Sequence, residues 1–254
     1  MFSAMLNVAE QYGPYYTATL RACISGGAAL PARVLQDFED AFETVILEGY
    51  GLSETSPAVT FNHSRVRRKI GSIGTPVEGV RLRLIDDAGR DVPPGVPGEL
   101  LVSGANVMKG YWNEPEATAA AIVDGWFHTG DIAVLDDDGF YTIVDRKKDL
   151  IIRGGYNVYP REVEDALHHH PAIAQAAVVG IPHEFLGEEI GAAVVLKTGA
   201  PFDPDELRQF VKCRVAAYKY PRRIWQVDQL PIGPTGKVLR AQIKPPTVEE
   251  DDEQ

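Results

Sequence analysis

The chain lacks any long hydrophobic run and has only two cysteines among its 254 residues. No stretch reaches the ~20 consecutive apolar residues that a transmembrane helix needs. The segment Met1–Asn7 lacks the basic flank and the long apolar region of a signal peptide, so the sequence predicts a cytoplasmic protein. Cys23 and Cys213 are far apart and have no metal-binding or redox spacing, which favours buried free thiols over a disulfide.

Positive charge is in the minority, since 25 Lys and Arg residues stand against 36 Asp and Glu residues, and the formal net charge is −11. Five of the negative charges lie in the tail Glu249–Glu253, which we expect to be solvated and disordered. An acidic body of this kind is a poor general binder of nucleic acid, and membrane contact is expected to be peripheral at most. The hydrophobic fraction of 44% and the charged fraction of 24% are typical of a soluble globular protein, which excludes a fibrous or wholly disordered chain.

The first part of the chain has an α/β pattern. An apolar run, Leu20–Ser25, predicts a strand that ends in Gly26-Gly27, and Pro31 is suited to the start of the next helix. A second strand is predicted over Thr44–Leu47, followed by a turn at Gly49-Tyr50-Gly51. Because ligands of α/β sheets bind at the carboxyl ends of the strands, both glycine-bearing turns are candidate binding positions.

The pattern then changes to β structure and later to a mixture of strands and helices. Alternating apolar residues around Leu82 and the turn-forming sequences Asp86–Gly89 and Asp136–Gly139 predict strands joined by tight turns. Beyond Arg146, Pro160 opens one predicted helix, and Asp203 caps another. Predicted strands of this last region lie at Ala174–Ile181, Ala192–Lys197 and Ile224–Val227.

These patterns predict an α/β portion and a β subdomain, followed by a small α+β C-terminal domain. The predicted boundaries are 1–145 for the first domain, divided into 1–69 and 70–145, then 146–245 for the small domain and 246–254 for the acidic tail.

The segment Glu48–Thr55 holds the densest set of candidate functional residues. Glycines allow a ligand to approach the backbone closely. Ser53 offers a hydroxyl group to a phosphate, and Glu54 offers a hard oxygen ligand for Mg²⁺. Taken alone, the segment is equally consistent with a strand-to-loop turn that carries a surface glutamate.

Two further motifs suit nucleotide chemistry. In Trp126–Asp131, the carboxylate of Asp131 can accept two hydrogen bonds from a ribose diol, although a capped turn explains the same residues. In Asp145–Asn157, clustered Arg and Lys side chains suit phosphates, and Gly154-Gly155 permits backbone approach or flexing. A solvated basic linker is the structural alternative for this second motif.

The last motif is Pro234–Lys237, which has a superficial likeness to a phosphate-binding P-loop. That loop requires Gly at position 231 and Ser or Thr at position 238, but the chain has Pro231 and Val238, so a P-loop is excluded. Lys237 remains a candidate cation on an exposed turn.

In this order and at these separations, the motifs resemble those of the adenylate-forming superfamily, which includes acyl-CoA synthetases, adenylation domains and luciferases. The resemblance extends over residues ~20 to ~243, and its motifs make chance co-occurrence very improbable. Within the superfamily, Ile151–Gly155 followed by Asn157 most resembles fatty-acid–CoA ligases. The motifs that carry the resemblance are Tyr50–Thr55, Gly98–Leu100 with Gly104, Lys109–Trp112, His128–Asp131, Asp145–Asp149, Gly154–Glu164 and Pro234–Lys237.

The resemblance implies a partial acyl-CoA synthetase-like fold and an acid–thiol ligase acting on a long- or medium-chain fatty acid. Such an enzyme joins a carboxylate to ATP, giving an acyl-adenylate and pyrophosphate, and CoA then displaces AMP. The implied small molecules are therefore ATP, Mg²⁺, CoA and a carboxylate. The chemistry depends on charge stabilisation and positioning more than on acid–base catalysis.

The resemblance also implies roles for individual residues. Lys237 bridges the acyl carboxylate and the α-phosphate, Ser53 contacts that phosphate, and Glu54 holds Mg²⁺. Lys148 is the hinge about which the small domain rotates between the half-reactions. The implied CoA-binding residues are Gly154, Gly155 and Asn157. The implied nucleotide-binding residues are Gly27, Ala28, Glu48, Gly49, Tyr50, Gly51, Asp131, Ile143 and Arg146.

One feature of the family is missing from the 254 residues. The Ser/Thr/Gly-rich loop that grips the β- and γ-phosphates of ATP lies upstream of the first strand in the family, and no such stretch occurs here. The expectation is therefore the C-terminal half of a ligase, inactive in full adenylation by itself and open to complementation by an N-terminal half. Two alternatives stay open: an adenylation domain that loads a carrier protein, and a non-catalytic nucleotide- or CoA-binding module.

Overall fold

The computed structural model describes residues 1–9, 17–64, 67–233 and 237–246. The chain divides into two compact units, Met1–Ile143 and Val144–Gln254, which we call unit 1 and unit 2. The acidic tail Glu249–Glu253 and the Pro234-Thr235-Gly236 part of the last motif lie outside the described residues.

Unit 1 contains two β-sheets and short helices. Its described helices are α1 (Phe2–Leu6), α2 (Ala32–Phe42) and α3 (Pro115–Ala121), with a 3-10 turn at Ser53–Thr55. Its strands are β1 (Cys23–Ser25), β2 (Ile46–Gly51), β3 (Ala58–Phe61), β4 (Thr75–Pro76), β5 (Arg81–Ile85), β6 (Gly98–Ser103), β7 (Ile122–Val123) and β8 (Trp126–Leu135). Strand β9 (Tyr141–Arg146) pairs with β8 and contains the division between the units.

The first sheet has the order β1-β2-β3-β4. The predicted helix after Pro31 is confirmed as α2, whose apolar stripe buries Leu35, Phe38 and Phe42 completely or nearly so. Side chains spaced three and four residues apart share one face of a helix, so this stripe packs as a unit against α1 and β2. Strands β1 and β2 are parallel, as expected of a strand–helix–strand unit.

Strand β2 differs from the prediction. The predicted turn at Gly49-Tyr50-Gly51 is wrong, because β2 continues through Gly51 and pairs with the antiparallel strand β3. The glycines do not break the strand. A side chain at either position would collide with β3 or with the residues that lead into it, so their lack of a Cβ allows the two strands to approach.

The second sheet has the order β5-β6-β8-β7 and confirms the predicted β-rich pattern. Strand β6 is buried along its whole length, and Leu100 packs with Leu84 and Ala133 in the core of this sheet. The predicted turns at Asp86–Gly89 and Asp136–Gly139 are confirmed by hydrogen bonds of 2.9 Å and 3.1 Å from each glycine N–H to the aspartate carbonyl.

Unit 2 is a mixed α+β domain, as predicted. Its helices are α4 (Pro160–His168) and α5 (Pro204–Lys212), with 3-10 turns at Lys147–Asp149 and Arg240–Gln242. Its further strands are β10 (Ile151–Arg153), β11 (Tyr156–Val158), β12 (Ile173–His183), β13 (Gly187–Leu196) and β14 (Arg223–Gln226). The sheet order is β11-β10-β13-β12, and β14 pairs in parallel with β13.

Local sequence signals account for the helices of unit 2. The side chain of Asp203 accepts hydrogen bonds of 3.0 Å from the N–H groups of Asp205 and Glu206, which confirms the predicted cap of α5. Helix α4 begins at Pro160 and buries Val163 and Leu167 fully in the core under the sheet. Strand β12 is longer than predicted and runs past Ile181 to His183.

The two cysteines differ from each other in burial. Both thiols are free, but Cys23 is half-buried and Cys213 is exposed, so the prediction that both are buried is wrong. In the part of the chain that the structure describes, no helix is long and apolar enough to cross a membrane. Within that same part, no three His, Cys, Asp or Glu side chains are grouped so as to hold a metal ion.

Candidate functional site

The predicted nucleotide-binding glycines of unit 1 lie at the ends of the two parallel strands. Ser25 pairs with Glu48, so the Gly26-Gly27 end of β1 lies beside Gly49 of β2. A Cβ atom at Gly26 would lie 3.4 Å from the carbonyl oxygen of Gly49. Gly27 has a φ of +82°, a Cβ atom there would have no neighbour within 4 Å, and Ala28 beside it is exposed. This edge therefore presents open backbone to a ligand.

Gly49 and Gly51 have a different environment. A Cβ atom at Gly49 would lie 2.4 Å from the ring of Phe61, and one at Gly51 would lie 1.7 Å from the carbonyl oxygen of Pro57. The space above both glycines is filled by the chain's own β3 and by the residues that lead into it. Packing within unit 1 is thus a sufficient reason for glycine at both positions.

The turn after β2 presents the predicted phosphate and Mg²⁺ ligands. Thr55 is completely buried, and its hydroxyl group donates to the carbonyl oxygen of Pro57 at 2.8 Å. The hydroxyl oxygen of Thr55 also accepts from the N–H of Leu52 at 3.0 Å, which closes the 3-10 turn. With Thr55 fixed inside, Ser53 is exposed and Glu54 is half-buried. The predicted functional side chains therefore stand on a rigid turn.

Glu54 is oriented from a second part of unit 1. The hydroxyl group of Tyr111 donates to Oε1 of Glu54 at 3.0 Å, and the N–H of Met108 donates to its carbonyl oxygen at 2.8 Å. Partial burial and the neighbouring Glu54 carboxylate raise the pKa of Tyr111, so the phenol stays a proton donor at neutral pH. The motif Lys109–Trp112 is predicted from the family resemblance alone, and no local pattern of residues predicts this contact.

The surroundings of Glu54 fit a bound Mg²⁺ ion. Mg²⁺ is commonly held by one or two carboxylates together with substrate phosphates and water, not by a cage of protein ligands. Glu54 supplies one carboxylate on a fixed turn, and the described residues contain no larger acidic group that would form such a cage. The single Glu54 carboxylate on this turn is compatible with that mode of binding.

Two predicted nucleotide-binding residues from distant motifs meet in unit 1. The hydroxyl group of Tyr50 donates to Oδ2 of Asp131 at 2.5 Å, and the two residues are 81 positions apart. Asp131 is buried, with 4% of its surface exposed, and its N–H donates to the hydroxyl group of Thr129 at 3.0 Å. Tyr50 and Ile143 both pack against the core of the second sheet. The arrangement holds an acceptor carboxylate beside an aromatic ring.

Glu48 has structural contacts in this region. Its Oε2 accepts from the N–H of Gly71 at 2.9 Å, and its carbonyl oxygen accepts from the side chain of Asn62 at 3.0 Å. The carboxylate thus joins β2 to the loop before β4. Asn62 is almost fully buried, and a single Asn forms no sequence pattern from which this contact could be predicted.

The predicted hinge lies at the start of unit 2. Lys148 is the exposed middle residue of the 3-10 turn Lys147–Asp149. Before this turn, Asp145 is buried and accepts hydrogen bonds from the N–H groups of Arg146 at 2.8 Å and Arg161 at 2.9 Å. Burial raises the pKa of Asp145, and these two N–H donors partly oppose the effect. The exposed residue predicted to be the hinge thus follows a well-anchored carboxylate.

The predicted CoA-binding residues form the tip of a hairpin in unit 2. Gly154 and Gly155 connect β10 to β11 with φ angles of +55° and +84°, which side-chain-bearing residues rarely adopt. Asn157 is exposed on β11 and lies opposite Ile152. Beside it, Tyr156 stacks on Tyr218 with ring centroids 4.7 Å apart. The hairpin tip is therefore accessible and is braced on one side by an aromatic pair.

Lys237 is exposed at the end of a second hairpin-like segment of unit 2. Its carbonyl oxygen accepts from the N–H of Gly233 at 2.8 Å, and the N–H of Leu239 donates to Pro231 at 2.8 Å. Ile232 and Val238 form an antiparallel bridge between these bonds. The backbone of Lys237 is thus fixed, and the residue is exposed.

Known proteins are similar to this chain in fold and in sequence. The family model described as AMP-binding enzyme matches residues 1–112, and that described as AMP-binding enzyme C-terminal domain matches residues 162–237. Solved structures similar to the chain are those of adenylate-forming enzymes. The chain belongs to the AMP-binding, adenylate-forming enzyme family.

Two members of the family share nearly half of the aligned residues with this chain. It is 46% identical over 230 residues to a long-chain-fatty-acid–CoA ligase of Bacillus subtilis, covering 90% of this chain and 41% of that protein. It is 43% identical over 228 residues to a feruloyl-CoA synthase of an Amycolatopsis species, covering 89% and 46%. The chain thus spans less than half the length of these relatives.

A solved structure also matches nearly all of this chain and about half of its own length. The o-succinylbenzoate CoA synthetase of Bacillus subtilis, determined with its acyl-adenylate intermediate, matches with a TM-score of 0.81 at 32% identity. The match covers 96% of this chain and 54% of that structure. The predicted fold class, a partial acyl-CoA synthetase-like fold, is confirmed.

Proposed function

We propose that these residues belong to an ATP-dependent acyl-CoA ligase that converts a fatty acid to its CoA thioester through an acyl-adenylate. The observation that carries the proposal is the hydrogen bond between Tyr50 and Asp131, which joins two motifs of the predicted nucleotide site within unit 1. The similarity to a long-chain-fatty-acid–CoA ligase supports the substrate class.

In the first half-reaction, a carboxylate oxygen bonds to the α-phosphorus of ATP, and the bond to pyrophosphate breaks. Ser53 donates to the α-phosphate, and the Lys237 ammonium group stabilises the negative charge shared by that phosphate and the carboxylate. Asp131 accepts hydrogen bonds from the ribose hydroxyl groups, assisted by Arg146. Glu54 would hold a Mg²⁺ ion, which would supply positive charge against the phosphates.

In the second half-reaction, the CoA sulfur bonds to the acyl carbon, and AMP leaves with the carboxylate oxygen. We assign the approach of the pantetheine chain to the exposed hairpin tip, where Gly154 and Gly155 leave the backbone uncovered and Asn157 offers an amide. Lys148 serves as the hinge, since an exposed turn residue can absorb a change of dihedral angle.

The 254 residues contain no Ser/Thr/Gly-rich loop for the β- and γ-phosphates, so we expect them not to complete the first half-reaction by themselves. The direct test is ATP–pyrophosphate exchange with a fatty acid on the 254-residue chain. We expect no exchange above background. Robust exchange would show that the 254 residues can complete the first half-reaction by themselves.

The ligase assignment itself is tested in a chimera in which the 254 residues replace the matching part of the Bacillus subtilis ligase. We expect adenylation of fatty acids, loss of adenylation in Lys237→Ala, and retained thioester formation from supplied acyl-adenylate in the same variant. Equal loss of both half-reactions would contradict the role of Lys237.

The same assay distinguishes between possible carboxylate substrates and between possible acyl acceptors. A preference for ferulate over fatty acids would overturn the fatty-acid assignment, and the 43% identity to a feruloyl-CoA synthase makes this a necessary comparison. Transfer of the acyl group to a carrier protein but not to CoA would indicate a carrier-loading enzyme.

A further inference from the structure

Arg240 connects three separate stretches of unit 2. Its Nη2 lies 2.7 Å from Oε2 of Glu164 on α4, and its Nη1 lies 3.3 Å from Oδ2 of Asp149 in the turn that contains the predicted hinge. Its Nε lies 3.2 Å from Oε1 of Glu164. The contacts occupy both edges of the guanidinium group, so two carboxylates from different elements share one cation.

These three side chains are largely shielded from solvent. Arg240 keeps 24% of its side-chain surface exposed, Asp149 20% and Glu164 13%. Ion pairs in such surroundings are weakened less by salt than pairs on the open surface. Removing one partner leaves a buried charge without compensation, which is costly.

Glu164 is the fixed end of this arrangement. Its Oε1 also accepts from the N–H of Val178 on β12 at 2.8 Å, which ties α4 to the sheet. Burial raises the pKa of Glu164, and the neighbouring Arg240 opposes that effect. Arginine keeps its charge under all ordinary conditions, so the cation is permanent.

Arg240 follows Lys237 by three residues. It opens the 3-10 turn Arg240–Gln242 directly after the hairpin-like segment that holds the backbone of Lys237. Three residues span at most ~11 Å of extended chain. Fixing the guanidinium group on Glu164 and Asp149 therefore restricts where the Lys237 ammonium group can be.

We propose that Arg240 is a positioning residue, which holds the Lys237 segment against Asp149 and Glu164 and thereby places the Lys237 ammonium group for the first half-reaction. The proposal rests on the proposed function, because it takes the role of Lys237 from there. Arginine is required because its planar fork serves two carboxylates at once, whereas a lysine at this position offers a single point charge.

The test compares the two half-reactions in the chimera described above. We expect Arg240→Lys to reduce the kcat of adenylation by about 10- to 100-fold, with a much smaller change in the KM for ATP, because misplacement of a catalytic group has effects of this size. Thioester formation from supplied acyl-adenylate should stay within about three-fold of the unaltered chimera, since Lys237 acts in the other step.

Two further variants separate positioning from folding. Asp149→Asn removes the charge next to the predicted hinge and leaves the ion pair between Arg240 and Glu164 in place. We therefore expect the kcat of adenylation to fall, but by less than in Arg240→Lys. Arg223→Lys is the matched control, because the Arg223 guanidinium donates at 2.8 Å to the carbonyl oxygen of Pro246, a backbone partner outside the Lys237 segment. Both half-reactions should change by less than about two-fold in this control.

Hydrogen exchange of the 254-residue chain supplies a readout that does not depend on activity. In Arg240→Lys, the amides of Gly233 and Leu239 should exchange faster, while the amide of Val178 keeps its protection. Equal loss of both half-reactions, or unchanged exchange in the Lys237 segment, would overturn the positioning role. If the unaltered chimera does not adenylate fatty acids, the proposed function fails; if Lys237→Ala leaves adenylation intact, the role assigned to Lys237 fails. Intact adenylation in Arg240→Lys alone refutes only this inference.

Discussion

The glycine at position 51 offers a sharp test of why the motif Tyr50–Thr55 contains glycine at all. A Cβ atom there would lie 1.7 Å from the carbonyl oxygen of Pro57 and 2.6 Å from its carbonyl carbon. Even a tight contact of about 3.2 Å therefore requires the residues leading into β3 to move by roughly 1.5 Å. The contact is with backbone, so no side-chain rotation can relieve it.

The cost follows from what that movement breaks. The same Pro57 oxygen accepts from the N–H of Leu52 at 3.0 Å and from the hydroxyl group of the buried Thr55 at 2.8 Å. Leaving such groups unsatisfied costs about 1–3 kcal/mol each, and overpacking adds about 1–3 kcal/mol. We expect Gly51→Ala to lower the free energy of unfolding of unit 1 by about 3–5 kcal/mol, a large part of an ordinary domain's stability.

The measurement is urea unfolding followed by amide hydrogen exchange and mass spectrometry, which reports β2 and β3 separately from unit 2. Gly26→Ala is the matched control, because its nearest neighbour would be the Gly49 carbonyl oxygen at an ordinary 3.4 Å. We expect this control to change stability by less than about 0.5 kcal/mol. If Gly51→Ala kept full stability but lost AMP binding, the glycine would serve ligand approach and our structural explanation would be refuted.

Three further changes test the site and its support. Tyr50→Phe removes a donor to the buried Asp131 carboxylate, so we expect unit 1 to lose about 1.5–3 kcal/mol in urea unfolding and AMP affinity to fall in calorimetry; unchanged values would contradict the contact. Asp203→Ala removes the cap of α5 and should cost about 1 kcal/mol in unit 2, whereas no change in the urea midpoint would argue against the cap. Burial by itself raises the pKa of Glu189, but the hydrogen bonds from Arg153 and from the N–H of Ile190, together with the positive charges of Arg153 and Arg222, outweigh it, and the net pKa lies below the ordinary 4.5. Its stabilising contribution is therefore present above that value and lost as the pH falls through the lowered pKa. The stability difference from Glu189→Gln should therefore shrink as the pH falls below 4.5, and a constant difference would refute the assignment.

Features encoded by neighbouring residues could be predicted from the sequence. The cap at Asp203 depends on two N–H groups within three positions, and the turn at Asp86–Gly89 depends on four consecutive residues. The buried stripe of α2 follows from helical spacing. In each case, the determining contacts lie within a few positions of one another, so the pattern of residues is sufficient.

Features that depend on distant contacts could not be predicted from local patterns. The residues Gly49-Tyr50-Gly51, predicted as a turn, are part of strand β2 because they pair with β3. The two glycines allow β3 to pack closely and do not reverse the chain. The partners of Tyr50 and Glu54 lie 81 and 57 positions away. A family resemblance supplied the candidate residues, but only the folded chain gives the hydrogen bonds between them.

The long pairing of β12 with β13 has a consequence for the order in which unit 2 folds. These strands are joined by the short turn 184–186, so they pair at a small loop-closure cost and form early. The contacts of Arg240 with Glu164 and Asp149 close loops of 76 and 91 positions and depend on elements that must already be in place. We therefore expect the segment that carries Lys237 to dock last during folding and to be the first part of unit 2 to open under mild denaturant.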